Sequence, residues 1–339
     1  MKISAEIINR LVLSGLPFVI YRFTGEKKMH VKTGVWERKH LHEIKKSCFF
    51  IQPFSDKMKG FALNESIIKK EKIINSLVPV VSTRKNYSAN FRYFHSQIIS
   101  GKADKLVLSK VKKGSEQKIN IGNTFINLCR NYPKATVNLF FIPNHGLWMG
   151  ATPELLLKSD LKNTISMSLA GTLEKGQKSW TNKEHTEQRM VTEYILKKFK
   201  SVSKKITQHK TETIKAGNVY HLCNRFSLKE NLSWSKLIHL IGNLHPTPAV
   251  CGLPLALAKA IILQNEPHQR EFYSGYLGTI EPGKSVRLFV NLRCMKIADG
   301  IPYIFTGGGL TADSVAEKEW NETELKAKGL INSLSFGEN

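Results

Sequence analysis

The stretch TVNLFFIPNHGLWMG, Thr136 to Gly150, decides the architecture. Two apolar runs, Thr136 to Ile142 and Leu147 to Gly150, flank the turn Pro-Asn-His-Gly, and so short a connection joins only antiparallel strands. A strand from Leu155 to Lys158 follows. Upstream, Cys48 to Gln52 and Lys105 to Val111 also read as strands. Downstream, Val286 to Ile297 reads as one long strand, with Val286, Leu288, Val290 and Leu292 alternating with Arg287, Phe289, Asn291 and Arg293.

Helices lie between these strands. Ser88 is the expected cap of a helix whose stripe is Phe91, Phe94, Ile98 and Ile99, and Gly101 ends it. The segment SWTNKEHTEQRMVTEYILKKFK, from Ser179, buries Met190, Val191, Tyr194, Ile195 and Phe199, and Thr181 with Glu184 forms a capping box. A third helix starts at Pro254 and turns Leu255, Ala258, Ile261 and Ile262 inward. Hairpins interleaved with helices indicate an α+β fold with largely antiparallel sheets. No proline-, glycine- or serine-rich linker divides the chain.

The C-terminal stretch FTGGGLTADSVAEKEWNETELKAKG, Phe305 to Gly329, carries the first chemical signal. Three glycines let backbone approach a ligand closely, and they run toward a helix that Ser314 and Glu317 are expected to cap as a box. Glu319, Glu322 and Lys326 share one face of that helix, while Trp320, Ala327, Leu330 and Ile331 form its apolar stripe. Paired carboxylates beside glycines suit a hard cation such as magnesium with an anionic ligand, although a solvated amphipathic helix would look the same. Glu184 and Glu187 repeat the spacing in the earlier helix.

Composition narrows the class. The chain has 339 residues, 41% of them hydrophobic, which suffices for a large core. Its formal charge of +24 suggests a nucleic-acid partner, whose binding would weaken steeply with salt. Yet the lysines are scattered from Lys2 to Lys328 and accompany no nucleic-acid-binding motif, which points to a proteome-wide bias or an anionic small substrate. Cys48, Cys129, Cys223, Cys251 and Cys294 form no CxxC pair and imply neither a disulfide framework nor a zinc site. The apolar run after Arg10 contains Pro17 and lacks a cleavage site, and no stretch is long enough to cross a membrane. The expectation is a soluble, cytoplasmic monomer with no membrane or nucleic-acid partner.

Singly, each polar candidate has an ordinary structural explanation; their order is more specific. Lys105-Leu-Val-Leu-Ser-Lys110 is followed by Gly150-Ala-Thr-Pro-Glu154, Ser168-Leu-Ala-Gly-Thr172 and Lys183-Glu184-His-Thr-Glu187. Then come Leu244-His-Pro-Thr-Pro-Ala-Val250, Arg270-Glu-Phe-Tyr273-Ser-Gly275, Asn291-Leu-Arg293, Thr306-Gly-Gly-Gly309 and Glu319-Trp-Asn-Glu322.

That series resembles the chorismate-utilising enzymes, and within them the isochorismate synthase branch. The similarity covers roughly residues 85 to 335, a chorismate-binding catalytic core, with residues 1 to 84 as a divergent N-terminal part of the same domain. It implies a single α+β domain of two large, mainly antiparallel sheets packed together, with flanking helices. It also implies a magnesium-dependent isomerase, in which water adds at C2 of chorismate and the C4 hydroxyl leaves, feeding menaquinone or catechol siderophore synthesis.

By that resemblance, Lys105 is the general base and Glu154 the general acid. Such a lysine must lose proton affinity and such a glutamate must gain it. Glu187 and Glu322 are the implied magnesium ligands, supported by Glu184 and Glu319. Arg293 and Tyr273 are the implied grip on the enolpyruvyl carboxylate. Gly171, Thr172, His245, Gly307, Gly309 and Lys326 are the other implied substrate contacts.

Branch differences add detail. Lys105 favours water as nucleophile, and Ala170 stands where aminodeoxychorismate synthases carry a lysine, so no glutamine amidotransferase subunit is implied. Salicylate synthases, which go on to eliminate pyruvate, share most of these motifs and are the alternative. Two positions depart from the pattern: Cys251 replaces the first glycine after His-Pro-Thr-Pro-Ala-Val, and Gln188 replaces the histidine after Glu187.

Overall fold

A computed structural model describes residues 3–55, 59–70, 77–174, 179–216 and 219–337. The hairpin is present: Thr136–Ile142 and Gly146–Thr152 pair antiparallel, with Phe140 opposite Trp148. Asn144 and Gly146 take φ of 64° and 82° in its turn, a left-handed region that these two residue types tolerate well.

The hairpin sits inside an eight-stranded sheet. Its order is Gly252–Leu253, Lys105–Lys113, Ile301–Leu310, Cys294–Ala298, Gly146–Thr152, Thr136–Ile142, Phe18–Arg22 and His30–Thr33. A ten-stranded sheet runs Ile206–Gln208, Val219–Lys229, Asn163–Glu174, Leu155–Ser159, Ser285–Val290, Tyr276–Glu281, Cys48–Gln52, Gly60–Asn64 and Val35–Lys39, with Glu212–Ala216 also paired to Val219–Lys229. The pairings in both sheets are antiparallel.

The run at 136–142 is apolar throughout because both faces of its strand are covered. Val137, Leu139 and Phe141 join a cluster with Ile8, Phe125 and Leu330 from the flanking helices. Phe140 and Ile142 point the other way, into an aromatic core shared by the two sheets that includes Tyr21, Phe49, Trp148, Phe272, Phe289 and Phe305. The outer face of the ten-stranded sheet is covered by Asn182–Lys200 and Trp234–Leu244, through Val191, Ile195, Phe199, Leu237 and Leu240. Strands from the first 84 residues complete both sheets: Phe18–Arg22 pairs with Thr136–Ile142, and Cys48–Gln52 with Tyr276–Glu281.

Four local expectations are corrected. The strand expected from Val286 to Ile297 is two, Ser285–Val290 in one sheet and Cys294–Ala298 in the other. Arg293 breaks it with φ of 48°, and alternation cannot reveal which sheet a residue faces. The helix expected to start at Ser88 runs Arg84–Ile99, capped by the Thr83 hydroxyl accepting from the Asn86 N–H, because buried Tyr87 extends its apolar face by a turn. Ile99 is 62% exposed and outside that face. The last helix is Ala316–Ile331 with Val315 at the cap position and no side-chain cap; Ser314 instead donates to Glu319, while Glu317 pairs with Arg84. The Thr181–Glu184 capping box is present.

Phe140 is fully buried between the sheets, so Phe140→Ala is expected to cost about 3–5 kcal/mol. Ile99→Ala, on the exposed side of its helix, should stay within about 0.5 kcal/mol. Urea denaturation followed by circular dichroism measures both.

Candidate active site

The glycine triplet lies within a strand rather than in a loop. Gly307, Gly308 and Gly309 pair with Ser109, Leu108 and Val107 across the Ile301–Leu310 and Lys105–Lys113 strands. What they supply is space. A Cβ at Gly309 would stand 2.3 Å from Glu187 Oε1 and 2.8 Å from Lys105 Cε, and one at Gly307 would stand 2.7 Å from the Tyr273 hydroxyl. Gly252 does the same for the neighbouring strand, where a Cβ would fall 2.3 Å from the Lys105 carbonyl oxygen. The Cys251 departure therefore leaves intact the glycine on which that approach depends.

A cleft opens beside this strand. Glu154, Gly171, Thr172, Glu187, Tyr273, Arg293, Gly307, Gly309 and Lys326 line it, together with Ala170. Lys105 is fully buried behind Gly309, its ammonium 2.9 Å from Glu187 Oε1, an ion pair without an aligned hydrogen bond. Glu154 follows the Gly146–Thr152 strand and is 2% exposed. Burial pushes its carboxyl up to about 8, against the opposing pull of the Lys105 charge, so it is largely protonated at neutral pH.

Gly171 sits at an irregularity in the pairing of Asn163–Glu174 with Val219–Lys229, with φ of 70°. Its carbonyl accepts from His221 Nδ1 at 2.7 Å, and His221 Nε2 faces an Arg293 guanidinium nitrogen at 2.9 Å. Burial, followed by the Arg293 charge, holds the imidazole down at about 3. It is therefore neutral, with the proton on Nδ1 and Nε2 accepting from Arg293. Burial also lowers the Arg293 guanidinium from its ordinary value. Tyr273 stacks on Phe305 at 5.6 Å and is raised above the ordinary phenol range by burial.

The carboxylates form a second layer. The Lys326 ammonium donates to the Gly307 carbonyl at 2.9 Å and to Glu322 Oε1 at 2.7 Å, and the Thr172 hydroxyl donates to the same oxygen at 3.0 Å. Burial would raise Glu322, but the Lys326 charge and these hydrogen bonds outweigh it and hold it below its ordinary value. Glu319 is only 1% exposed and is raised by burial and then by the Glu322 charge, although Lys183 Nζ lies 2.5 Å from its Oε1. Burial disfavours the Lys183 ammonium, yet the Glu319, Glu322 and Glu187 carboxylates hold it above its ordinary value.

Four carboxylates thus approach the cleft from two helices, but among the described residues no three acidic, His or Cys side chains stand at ligand spacing. Each is turned toward a lysine or, for Glu184, toward the Thr181 hydroxyl and N–H of its own capping box. The donor set nevertheless fits a hard cation. Glu319 Oε2 is buried without a hydrogen-bond partner, and a Cβ at Gly308 would meet it at 3.1 Å and Glu322 Oε1 at 3.6 Å. Two carboxylate oxygens therefore face one small volume that the glycine keeps open.

Not every expected residue lines the cleft. His245 packs edge-on against Tyr276 with ring centroids 4.9 Å apart and lies outside the lining, because its ring turns from the end of Trp234–Leu244 toward the ten-stranded sheet. Glu184, Glu319 and Glu322 stand behind the lining as well. Gln188 reaches Ser168 Oγ at 2.9 Å and Asn224 Oδ1 at 3.0 Å, anchoring its helix to the sheet. His221 and Lys183 were not singled out from sequence. A polar residue within a mostly buried strand is the only signal His221 offers, and Lys183 reads as an ordinary charge in a first turn.

Residues 22–335 match the family model described as chorismate binding enzyme. Isochorismate synthase EntC of Escherichia coli K12 is 29% identical over 244 residues, 68% of this chain and 62% of that protein, so the chain spans less than two thirds of that relative's length. The structure of DhbC from Bacillus anthracis shares the fold with a TM-score of 0.81 at 19% identity, covering 97% of this chain and 99% of that one. MenF, the menaquinone-specific isochorismate synthase from Escherichia coli, shares it at 0.77 and 18% identity, covering 94% and 89%.

The Glu154 carboxyl has an ordinary value of 4.5 and a folded value of about 8. The unfolded chain releases this proton first, so stability drains away as pH rises from about 4.5 to 8. Glu154→Gln should therefore raise stability at pH 7 by up to about 3 kcal/mol, and the gain should vanish below pH 4.5. Denaturation midpoints across that range measure it; a midpoint at pH 7 unchanged or lowered contradicts the assignment.

Proposed function

Because this chain belongs to the chorismate-binding enzyme family, we propose that it is an isochorismate synthase, a magnesium-dependent isomerase that converts chorismate to isochorismate. The observation that carries the reading is Glu154, held protonated by burial in the cleft wall and within range of the charge of Lys105, which lies behind Gly309. The similarity to EntC and the presence of Ala170, with no amine at that place in the cleft wall, support it.

Chorismate is a dianion whose ring must gain a hydroxyl at C2 and lose one at C4. Lys105, after giving up the proton it holds beside Glu187, takes one from the water that adds at C2. Glu154 gives its proton to the C4 oxygen, which leaves as water. Atoms balance, and the enzyme ends with an ammonium and a carboxylate that exchange protons with solvent before the next turnover. Arg293 holds the enolpyruvyl carboxylate, oriented by the His221 imidazole behind it, while the Tyr273 hydroxyl donates to the same group. Neutral His221 can take nothing but a hydrogen bond from Arg293, so the guanidinium keeps its full charge for the substrate.

Glu187 and Glu322 would hold the magnesium ion, with Glu319 and Glu184 behind them. When bound it would neutralise and orient the ring carboxylate of chorismate. Lys326, fixed on the Gly307 carbonyl, closes the anion-binding wall. Menaquinone or catechol siderophore synthesis would consume the product.

The decisive assay incubates the protein with chorismate and magnesium and identifies the product by liquid chromatography and mass spectrometry. Isochorismate is expected; salicylate with pyruvate would transfer the chain to the salicylate synthases. Lys105→Ala and Glu154→Gln should each lower kcat by about 10²–10⁴ while the circular dichroism spectrum is retained. Glu322→Gln should shift the magnesium titration of activity to higher concentration. The rate should also fall as pH rises through about 8, where Glu154 loses the proton it must donate.

A further inference from the structure

Lys183 occupies an unfavourable place for a cation. It is in the first turn of Asn182–Lys200, where the aligned peptide dipoles present positive charge and favour acids. Its ammonium nevertheless reaches across to Glu319 Oε1 at 2.5 Å, on the first turn of Ala316–Ile331, and so ties the starts of two separate helices together. Two of the other carboxylates have lysines of their own: Lys326 serves Glu322 from the same helix, and Lys105 serves Glu187 from the sheet. Glu319 is left to Lys183 and the Ser314 hydroxyl, which also contacts Oε1 at 2.8 Å. The opposite oxygen, Oε2, is buried and unpartnered beside Glu322.

We propose that Lys183 is a built-in counter-ion of this carboxylate pair, competing with the divalent cation for the negative charge that Glu319 and Glu322 present. This rests on the magnesium reading above and adds a residue to it. Glu319 cannot remain a buried anion alone, so the metal-free protein needs a cation at that place. A divalent ion held by Glu322 with Glu319 behind it would face the ammonium across the Glu319 carboxylate, and the like charges exclude one another. Lys183 is able to leave. Its side chain is 20% exposed, and its flexible stem can carry the ammonium to water without moving either helix. The two cations therefore exchange, and the apparent metal affinity is lower than the carboxylates alone would provide.

The test compares wild-type protein with Lys183→Met, similar in length and uncharged, by isothermal titration with magnesium chloride and by thermal melting with and without the ion. Magnesium should bind the variant roughly tenfold more tightly, and the variant should melt lower without magnesium but gain more on its addition. Equal or weaker binding by a folded variant overturns the counter-ion and leaves the metal reading standing. Binding to neither protein overturns both. Should the variant fail to fold, the wild-type protein decides the matter through acetylation by an N-hydroxysuccinimide ester, read at Lys183 by mass spectrometry. Magnesium is expected to increase labelling by releasing the amine; unchanged or reduced labelling overturns the exchange.

Discussion

Charges buried in this cleft are tolerable only in pairs, and much of the site's arrangement follows from that constraint. Lys105 faces Glu187, Lys183 faces Glu319 and Lys326 faces Glu322. Two groups are handled differently. Arg293 is met by an imidazole that burial keeps neutral, and Glu154 is kept uncharged rather than paired. Two of the pairs join separate elements: the Lys105 strand to the helix from Asn182, and that helix to the one from Ala316. The cleft is thus a network of ion pairs that an anionic ligand and a cation can enter by exchange.

Backbone makes those pairs possible. The Ile301–Leu310 strand lacks side chains at three successive positions, so Glu187, Lys105 and Tyr273 can close over it. Arg293 reaches the cleft because the chain changes sheets there, leaving Val290 in one and Cys294 in the other. Its left-handed φ accompanies that change of sheet. The same few residues that link the two layers therefore aim the guanidinium at the ligand.

Much of this was legible beforehand. The hairpin at Thr136–Gly150 announced antiparallel sheets because its turn is too short for anything else. The apolar stripes placed the helices, and the ordered motif series placed Glu154, Glu187, Arg293 and the glycines together, as the cleft lining now does. The misreadings share one cause. Ser88, Ser314 and the run from Val286 to Ile297 were judged from neighbours in sequence, whereas the Tyr87 packing, the Ser314–Glu319 hydrogen bond and the sheet crossing depend on distant partners.

What the sequence determined by itself is the inventory: which residues could be acid, base, anion grip and carboxylate cluster, and that the fold is α+β. The fold class follows from local periodicity, and the roles follow from the ordered motif series and the family it resembles. The tertiary structure alone decided the states of these groups. That Glu154 is protonated, that His221 is neutral and orients Arg293, and that Lys183 stands among the carboxylates depend on burial and on charges brought from far along the chain. Desolvation and Coulomb energy act through space, and no spacing of letters contains them.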